Sequence, residues 1–568
     1  MHIDVVPNRD SRPAYLLRES YREGKRVRKR TLANLSALSE DQINGIRAIL
    51  RGETVRPAGE LFEAVASKAC GHVQAVHVAM QKLGMPRLLG GSACPQRDRV
   101  LAMIAARVLC PDTKLATTRR WHQSTLADTF DVADAQAEDL YAAMDWLLER
   151  QEAIQKRLAA RHLQAGAMVL YDLSSSYLEG RHCPLAQRGY NRDGKKGKLQ
   201  VNYGLLTDRR GCPVAVSVYP GNTSDAATLM PEVSRLRQTF GLGEVVLVGD
   251  RGMISKAHIE HLRQLKGLSW ITALKSVSIR KLVQDQTVQL DLFDERNLFE
   301  VHHPDYPGER LIACRNPALA EHRAAKREAL LQATETQLGK IRERVDKGRL
   351  QGADQIGVAV GKVLDRYKVG KHFVLEIEAS RFIFQRHAER IHQEAALDGL
   401  YVLRTSVEAK EMDASDCVRN YKALAQVERA FRSLKTMDLK VRPIHHRLAD
   451  RVRAHIFLCM LAEYVAWHLR EAWQPLLFAD EDQAAKAQRE PVRPARRSAA
   501  AEAKVASRLN DAGQPLHSFQ TLLAELAGIV RNICRTPGSS DQQPTFEIIT
   551  TPSPLQQRAL DLATQIRV

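Results

Sequence analysis

The sequence predicts an α/β fold: a mixed sheet with flanking helices, interrupted by an insertion and bracketed by mainly helical N- and C-terminal regions. Two stretches carry that expectation. The run Val245-Val246-Leu247-Val248 is wholly aliphatic and ends in Gly249-Asp250-Arg251-Gly252, the pattern of a strand buried on both faces. The run Ala167-Met168-Val169-Leu170-Tyr171 has the same design and also ends in a carboxylate, Asp172, before Leu173-Ser174-Ser175-Ser176. A carboxylate at the carboxyl end of a buried strand stands at the rim of an α/β sheet, where ligands bind. Taken singly, Asp250 reads as a strand-end residue capping the next helix. Two such strands read as half of a metal site.

Composition narrows the partners. The chain has 568 residues, enough for roughly three or four domains, and 44% of them are apolar. Lys and Arg number 84 against 66 Asp and Glu, a net charge of +18, with a pI near 9.5. Such a surplus favours a polyanion, because cationic side chains release counterions from phosphates. A basic membrane-surface protein would share that balance. No stretch reaches the roughly 20 apolar residues that span a bilayer, and the best candidate, Ile456 to Trp467, contains Glu463. The start, Met1-His2-Ile3-Asp4, lacks the apolar core of a signal peptide. Nine cysteines without a CxxC pair point to free thiols in a reducing cytosol, not to a disulfide framework or a cysteine zinc site.

In chain order, Ala14 to Leu17 and Val27 to Arg30 look like two strands around Gly24, rich in cations. The pattern fits a charge-protected hairpin edge or a nucleic-acid contact. Helical periodicity then dominates to about 165, as in Val100, Met103, Ile104, Val108 and Leu109. After Asp172 comes a cationic loop holding Arg181, His182, Arg188, Arg192, Lys195, Lys196 and Lys198. Strands follow at Gln200–Leu206 and Val214–Tyr219, and a helix begins after Gly221-Asn222-Thr223-Ser224-Asp225, with Asp225 as its expected N-cap. Beyond the Asp250 strand come a helix capped by Ser255 and a strand at Ser269–Ala273. Three strands, a helix, a strand, a helix and a strand is the order of a ribonuclease-H-like core. Residues 276–395 read as an insertion with its own small fold and a long charged helix. Gly399 to Thr405 resumes the buried-strand pattern, and a helix is expected from about Ala414 to Thr436. Helices continue to Trp473, residues 483–506 read as a linker or frayed helix, and Ser518 to Ile533 reads as a last helix before an extended tail.

The helix around Glu428 supplies the third carboxylate. Leu424, Val427, Phe431 and Leu434 form its apolar stripe. Tyr421, Glu428 and Lys435 recur every seven residues, each about 20° from the next on an α-helix. An amphipathic surface helix would look similar. Beside two strand-end Asp residues, it reads as the third wall of one site. Three convergent carboxylates suit two divalent cations, one activating the attacking oxygen and one stabilising the leaving oxygen of an in-line phosphoryl displacement. Oxygen donors imply Mg²⁺ or Mn²⁺, not zinc.

These residues resemble the DDE transposases of bacterial insertion sequences, in the group with a Tyr-x2-Arg-x3-Glu-x6-Lys signature. Tyr421, Glu428 and Lys435 match it; Leu424 stands where the signature has Arg, and Arg429 or Arg432 is the available replacement. Asp172 and Asp250 match the first two acids, and Gly221-Asn222-Thr223-Ser224-Asp225 also looks like a motif of the group. The resemblance implies a ribonuclease-H-like core in two parts, 166–275 and 396–440, split by the 276–395 insertion. It leaves 1–165 as a mostly helical, candidate DNA-end-binding region and 441–568 as a helical C-terminal region. It implies Asp172, Asp250 and Glu428 as catalytic residues and metal ligands, with two Mg²⁺ ions, replaceable by Mn²⁺. DNA contacts would come from Tyr421, Lys435, Arg429, Arg432, Arg251, Arg188, Arg192, Lys195, Lys196 and Lys198. The implied activity is strand cleavage at element ends and transfer of the 3′-hydroxyl into target DNA. The implied setting is a homodimer on double-stranded DNA in the bacterial cytoplasm, associated with the nucleoid and not with a membrane.

Two other readings share these features: a DNA-binding protein without catalysis, and a structure-selective nuclease that cuts but does not join. The presence of all three acids argues against the first. His445, His446 and His455 do not have zinc spacing and read as surface or phosphate-contacting histidines. His182-Cys183 lacks a third partner for nucleophilic catalysis, and Glu179 is a reserve ligand.

Overall fold

Buried aliphatic runs form strands where the sequence predicts them, and long-range pairing decides which sheet each one joins. The computed structural model describes residues 1–9, 12–53, 62–195, 197–288, 293, 297–482, 489–494, 496–536 and 545–568. Two units are distinguished, Met1–Lys68 with Val530–Thr551, and Ala69–Ile529 with Pro552–Val568.

The first unit opens with the antiparallel meander β1 (His2–Val6), β2 (Ala14–Glu23) and β3 (Arg26–Asn34), turned at Gly24, whose φ is 61°. Its cations are largely paired within the sheet. Lys29 and Arg18 lie 2.9 and 3.1 Å from Asp4, Arg30 lies 3.0 Å from Glu19, and Arg28 lies 2.7 Å from Glu23. A helix, Glu40–Leu50, follows behind the reciprocal cap of Ser39 and Gln42. The strand β4 (Glu63–Ala69) belongs to a second small sheet completed from the far end of the chain.

The second unit is built on eight strands. In chain order they are β5 (Ala167–Tyr177), β6 (Gln200–Asp208), β7 (Pro213–Pro220), β8 (Val245–Val248), β9 (Leu268–Ala273), β10 (Leu298–Val301), β11 (Arg310–Arg315) and, after the hairpin of β12 (Phe373–Ile377) and β13 (Phe382–Arg386), β14 (Leu400–Thr405). Their spatial order is β10-β11-β14-β9-β8-β5-β6-β7. The pairs β5–β8 and β8–β9 are parallel, and the other pairs are antiparallel. The expected order of three strands, helix, strand, helix and strand is present, with helices Asp225–Ser234 and Lys256–Leu262 in the two connections. Ser255 caps the second, its hydroxyl accepting from the His258 N–H.

Several elements differ from the sequence reading. The strand β11, expected inside the insertion, and β10, which the sequence reading does not mark, extend the large sheet through antiparallel pairing of β11 with β14. A separate apolar cluster forms between the helices Pro317–Asp346 and Ala353–Tyr367 and the β12–β13 hairpin, around Leu338, Ile356 and Phe382. The expected last helix ends early: Phe519–Leu526 is helical, but Val530–Arg535 is β15. It pairs with β16 (Phe546–Ile549) and β4 in the first unit's second sheet. The expected extended tail contains the helix Pro554–Thr564. Much of the expected 483–506 linker is described, including a helix at Ala499–Ser507; residues 483–488 and 495 lie outside the described residues.

The helix Ala449–Ala472 explains the apolar stretch that is too short to span a membrane. It is buried along almost its whole length, including Phe457, Leu461 and Tyr464, as expected for a helix apolar on every face. It packs against the helices Pro95–Leu109 and Ala137–Glu149 and against β7. No described helix is long and apolar enough to cross a membrane.

One close packing sets the strand that carries Asp172. Tyr171 is fully buried, and its ring lies over Gly204 on β6. A Cβ at Gly204 would stand 2.2 Å from the Tyr171 hydroxyl oxygen. Gly204→Ala is therefore expected to cost about 1–3 kcal/mol or more as an over-packed core substitution. Denaturant unfolding of the two proteins measures this; equal midpoints would show that Tyr171 has room to move.

Candidate active site

The register of β5 and β8 brings the first two acids together. Leu170 pairs with Val248 in the parallel ladder, so continuing two residues sets Asp172 beside Asp250 at one sheet edge. Asp250 is held by its own turn: its Oδ1 accepts the N–H groups of Gly252 and Met253 at 2.9 and 2.8 Å. A Cβ on Gly252 would approach that oxygen to 3.3 Å. Its carbonyl oxygen accepts from the Thr272 hydroxyl of β9 at 3.1 Å. The Asp172 carboxylate accepts the Leu173 N–H at 2.8 Å. Burial pushes its pKa up to about 7, with Asp250 and Glu428 adding to the rise and the Leu173 N–H and Arg192 opposing it. Three carboxylates are thus within electrostatic reach of one another.

Glu428 reaches the same edge from the helix Leu424–Arg432. Val427, Ala430 and Phe431 are buried, and the helix packs on β5 and β6. The Phe431 ring meets Tyr203 of β6 edge-on at 5.8 Å. Glu428 itself is exposed, so the helix is held by its apolar face and not by the carboxylate. The β6–β7 turn supports it from behind: at Gly211, φ is +85° and a Cβ would come within 2.6 Å of the Gln426 Cβ.

The expected single helix from Ala414 to Thr436 is three segments. Ala414–Lys422 ends at Ala423, Leu424–Arg432 follows, and Ser433–Met437 is a π-turn. The 100° spacing that aligned Tyr421, Glu428 and Lys435 does not survive these breaks, because a π-turn takes up an extra residue. Tyr421 nevertheless stays at the site. Its phenol is raised to about 12, chiefly by burial, with Asp250, Asp172 and Glu428 contributing and Arg251 opposing them.

Lys435 is a correction. It is buried, and its ammonium lies 3.0 Å from Asp193 Oδ1. Asp193 is almost wholly buried, also pairs with Arg442 and accepts the Tyr177 N–H at 3.1 Å. Lys435 thus anchors the cationic loop to the π-turn instead of presenting its charge at the surface. The π-turn has a second anchor. The Ser433 hydroxyl lies 2.5 Å from the buried Glu463, which pairs with Arg470; Arg470 also binds Asp438 at 3.1 Å.

The remaining expected contact residues divide by partner. Arg192 is half-buried and paired with Asp225, near enough to Asp172 to oppose its rise. Asp225 is the first residue of its helix and not the N-cap, which is Ser224. Lys198 pairs with Glu179 at 3.0 Å, which occupies that reserve ligand. Arg188, Lys195, Arg251, Arg429 and Arg432 are exposed. Lys196 lies outside the described residues. His446 and His455 pack 5.0 Å apart, and burial lowers the pKa of both. Asp193, Arg442, Asp438 and Arg470 were not singled out in the sequence; the signal for Asp193 was a single acid among the cations of its loop.

The transposase DDE domain family matches residues 171–463, more than half of the chain. The N-terminal domain of the IS1634 transposase family matches residues 3–63. The chain belongs to the DDE transposases of insertion sequences. It is an enzyme of that type. Among solved structures, a piggyBac transposase synaptic complex with hairpin DNA is similar at 9% identity and a TM-score of 0.34, over 80% of this chain and 76% of that one. A Mos1 transposase paired-end complex with the left transposon end is similar at 13% identity and a TM-score of 0.14, over 34% of this chain and 62% of that one. Both likenesses are too distant to bear on the site. No curated protein matches.

Within this transposase the Lys435–Asp193 pair distinguishes an anchor from a surface contact. Lys435→Met leaves a buried carboxylate with one cation fewer and is expected to destabilise the fold by roughly 3 kcal/mol, the lower end for breaking a buried pair because Arg442 remains. Lys195→Met, at an exposed position, is expected to change stability by less than about 0.5 kcal/mol. Urea unfolding of both variants measures the difference; wild-type stability in Lys435→Met would remove the anchor.

Proposed function

We propose that Asp172, Asp250 and Glu428 are the catalytic carboxylates of a ribonuclease-H-like core. In this reading the transposase cleaves strands at insertion-sequence ends and transfers the freed 3′-hydroxyl into target DNA, working as a homodimer on double-stranded DNA. The observation that carries the reading is geometric: the parallel register of β5 and β8 sets Asp172 beside Asp250, and the helix carrying Glu428 packs on β5 and β6; burial raises the Asp172 carboxyl, and both other acids add to that rise. Three acids converging on one sheet edge repel one another, and a bound divalent cation relieves that repulsion.

The donor set fits Mg²⁺ or Mn²⁺, since all three side chains offer oxygen. Two such ions, when bound, activate the attacking oxygen and stabilise the leaving oxygen of the in-line displacement. The chain's own residues set the geometry. The Gly252 and Met253 amides fix one oxygen of Asp250, and the Leu173 amide fixes Asp172. The buried face of its helix fixes Glu428. The exposed Arg188, Lys195, Arg251, Arg429 and Arg432, with the Tyr421 phenol, are placed to meet phosphates, a contact that positions the duplex without reading bases. Arg429 and Arg432 supply the cations that Leu424 does not.

Glu428→Gln keeps shape and volume while removing a charge. The variant is expected to fold and bind DNA as wild type does, and to lose strand nicking by several orders of magnitude, as misplacing the reacting groups by about 1 Å already costs about 10²-fold. Nicking and binding assays run side by side on end-bearing DNA with Mg²⁺ measure both. Nicking that survives unchanged removes Glu428 from the site; a wild type that binds but never cuts favours a pure DNA binder.

Proton competition gives a second test. Because the Asp172 carboxyl holds its proton up to about pH 7, a cation must displace that proton at lower pH. Mn²⁺ affinity is expected to fall by up to about tenfold per unit as pH drops below 7, and to level off above it. Titrating Mn²⁺ against the metal-free protein across this range, with Asp172→Asn as control, reads the slope. A flat profile in the wild type would place the titrating group elsewhere.

A further inference from the structure

A second donor cluster lies away from the three carboxylates. His162 ends the helix Gln151–His162, Cys212 follows the β6–β7 turn, and His468 lies on the helix Ala449–Ala472. One ring nitrogen of each histidine and the cysteine sulfur all lie within 4.8 Å of one another. We propose that His162, Cys212 and His468 form a binding site for a borderline transition-metal ion of the Zn²⁺ class.

The chemistry of the donors selects that class. One sulfur and two imidazole nitrogens suit Zn²⁺ and its neighbours and not Mg²⁺, which takes oxygen. The Cys212 Sγ is 3.8 Å from His468 Nε2, close to the spacing of two ligands on one tetrahedral ion, roughly 3.5 Å from metal–ligand lengths of about 2.3 and 2.0 Å. Burial lowers the pKa of both histidines, so each offers a neutral, ligating ring. Burial chiefly keeps the Cys212 thiol protonated, with Asp208, Glu463 and Glu471 adding to this and Arg210 opposing it; beside a divalent cation the three acids are favourable and offset the nearby Arg161 and Arg210. Binding converts the thiol to a thiolate and releases its proton to solvent, with no redox change.

Access and consequence are both visible. A cleft lined by Arg210, Trp467, His468 and Glu471 opens onto one of the three ligands, His468. Cys212 is the residue after Gly211, whose turn packs against Gln426, two positions before Glu428. An ion joining Cys212 to two helices therefore braces the turn that supports the Glu428 helix.

The full-length protein, stripped with chelator and titrated with Co²⁺, tests the site without any activity measurement. One equivalent is expected to produce a thiolate-to-cobalt charge-transfer band and the strong visible bands of a tetrahedral centre, and Zn²⁺ is expected to abolish them and raise the thermal midpoint. Cys212→Ser is expected to lose the charge-transfer band, and His468→Gln to weaken binding at least tenfold. Should Cys212→Ser fail to fold, His162→Gln, at a half-buried position, is expected to weaken Co²⁺ binding at least tenfold with folding checked by circular dichroism, and wild-type affinity in that variant overturns the site. Asp250→Asn is expected to keep the band, since the carboxylate site contributes no sulfur. A wild type with no thiolate band, or a band that persists in folded Cys212→Ser, overturns the proposal and leaves an ordinary S–H···N contact in the core.

Discussion

The parallel pairing of β5 with β8 is the constraint on which the rest of the second unit depends. Parallel strands in register set corresponding positions side by side, so Asp172, inside β5, and Asp250, just past the end of β8, fall next to each other. That arrangement is electrostatically unfavourable. Burial is the main cause of the rise of the Asp172 carboxyl and the two other acids add to it, while the neighbouring elements answer with local donors: the Leu173 amide on Asp172, two turn amides on Asp250, and the Arg192 guanidinium nearby. A sheet that gathers like charges at one edge therefore needs fixed dipoles at the same edge; the turn after β8 supplies two of them and the β5 backbone at Leu173 a third.

The features legible in the sequence were those set by local periodicity. A run such as Val245 to Val248 has one stable fate, burial within a sheet, and its terminal Asp follows from that. The same holds for the apolar stripe that seats the Glu428 helix, but the Asp172 strand was legible only to its middle: Leu173-Ser174-Ser175-Ser176, read as a loop, continues β5 to Tyr177 by pairing with β6. Sheet membership was not legible, because β10 and β11 join the large sheet through pairing with β14, about 90 residues further along the chain. The C-terminal β15 was hidden for a related reason: Val530 to Arg535 continues an apolar pattern that a helix also satisfies, and only its partners β4 and β16 decide between them.

Lys435 shows where azimuthal reasoning stops. Seven-residue spacing places it beside Glu428 only on an uninterrupted α-helix. The π-turn at Ser433–Met437 breaks that register, and the two buried carboxylates Asp193 and Glu463 reward the break by binding Lys435 and Ser433. Removing one partner from such a pair costs far more than forming it gained. The π-turn and the cationic loop thus hold each other in place through Asp193, and the loop that enters the site at Arg192 is fixed from its far side. A basic loop read as wholly available for DNA turns out to spend part of its charge on its own conformation.

Two ion chemistries within one unit raise the question of cross-occupancy, and the ligands answer it. On the proposed reading, the sheet-edge carboxylates are half-buried at Asp172 and Asp250 and exposed at Glu428, so a hard ion held there would keep its remaining waters, as Mg²⁺ prefers. The cluster of His162, Cys212 and His468 is largely buried and offers sulfur and nitrogen instead. Zn²⁺ binds carboxylates as well, so selectivity at the edge rests on weak, exchangeable oxygen ligation, while the largely buried cluster draws the softer ion away through its thiolate. The distant sequence positions of these three residues, 50 residues from His162 to Cys212 and 256 from Cys212 to His468, keep the cluster invisible to any spacing rule. Only folding of the β6–β7 turn against the two helices assembles it, so any ion held there binds the folded chain and not the unfolded one, and stabilises the support of Glu428 by that difference.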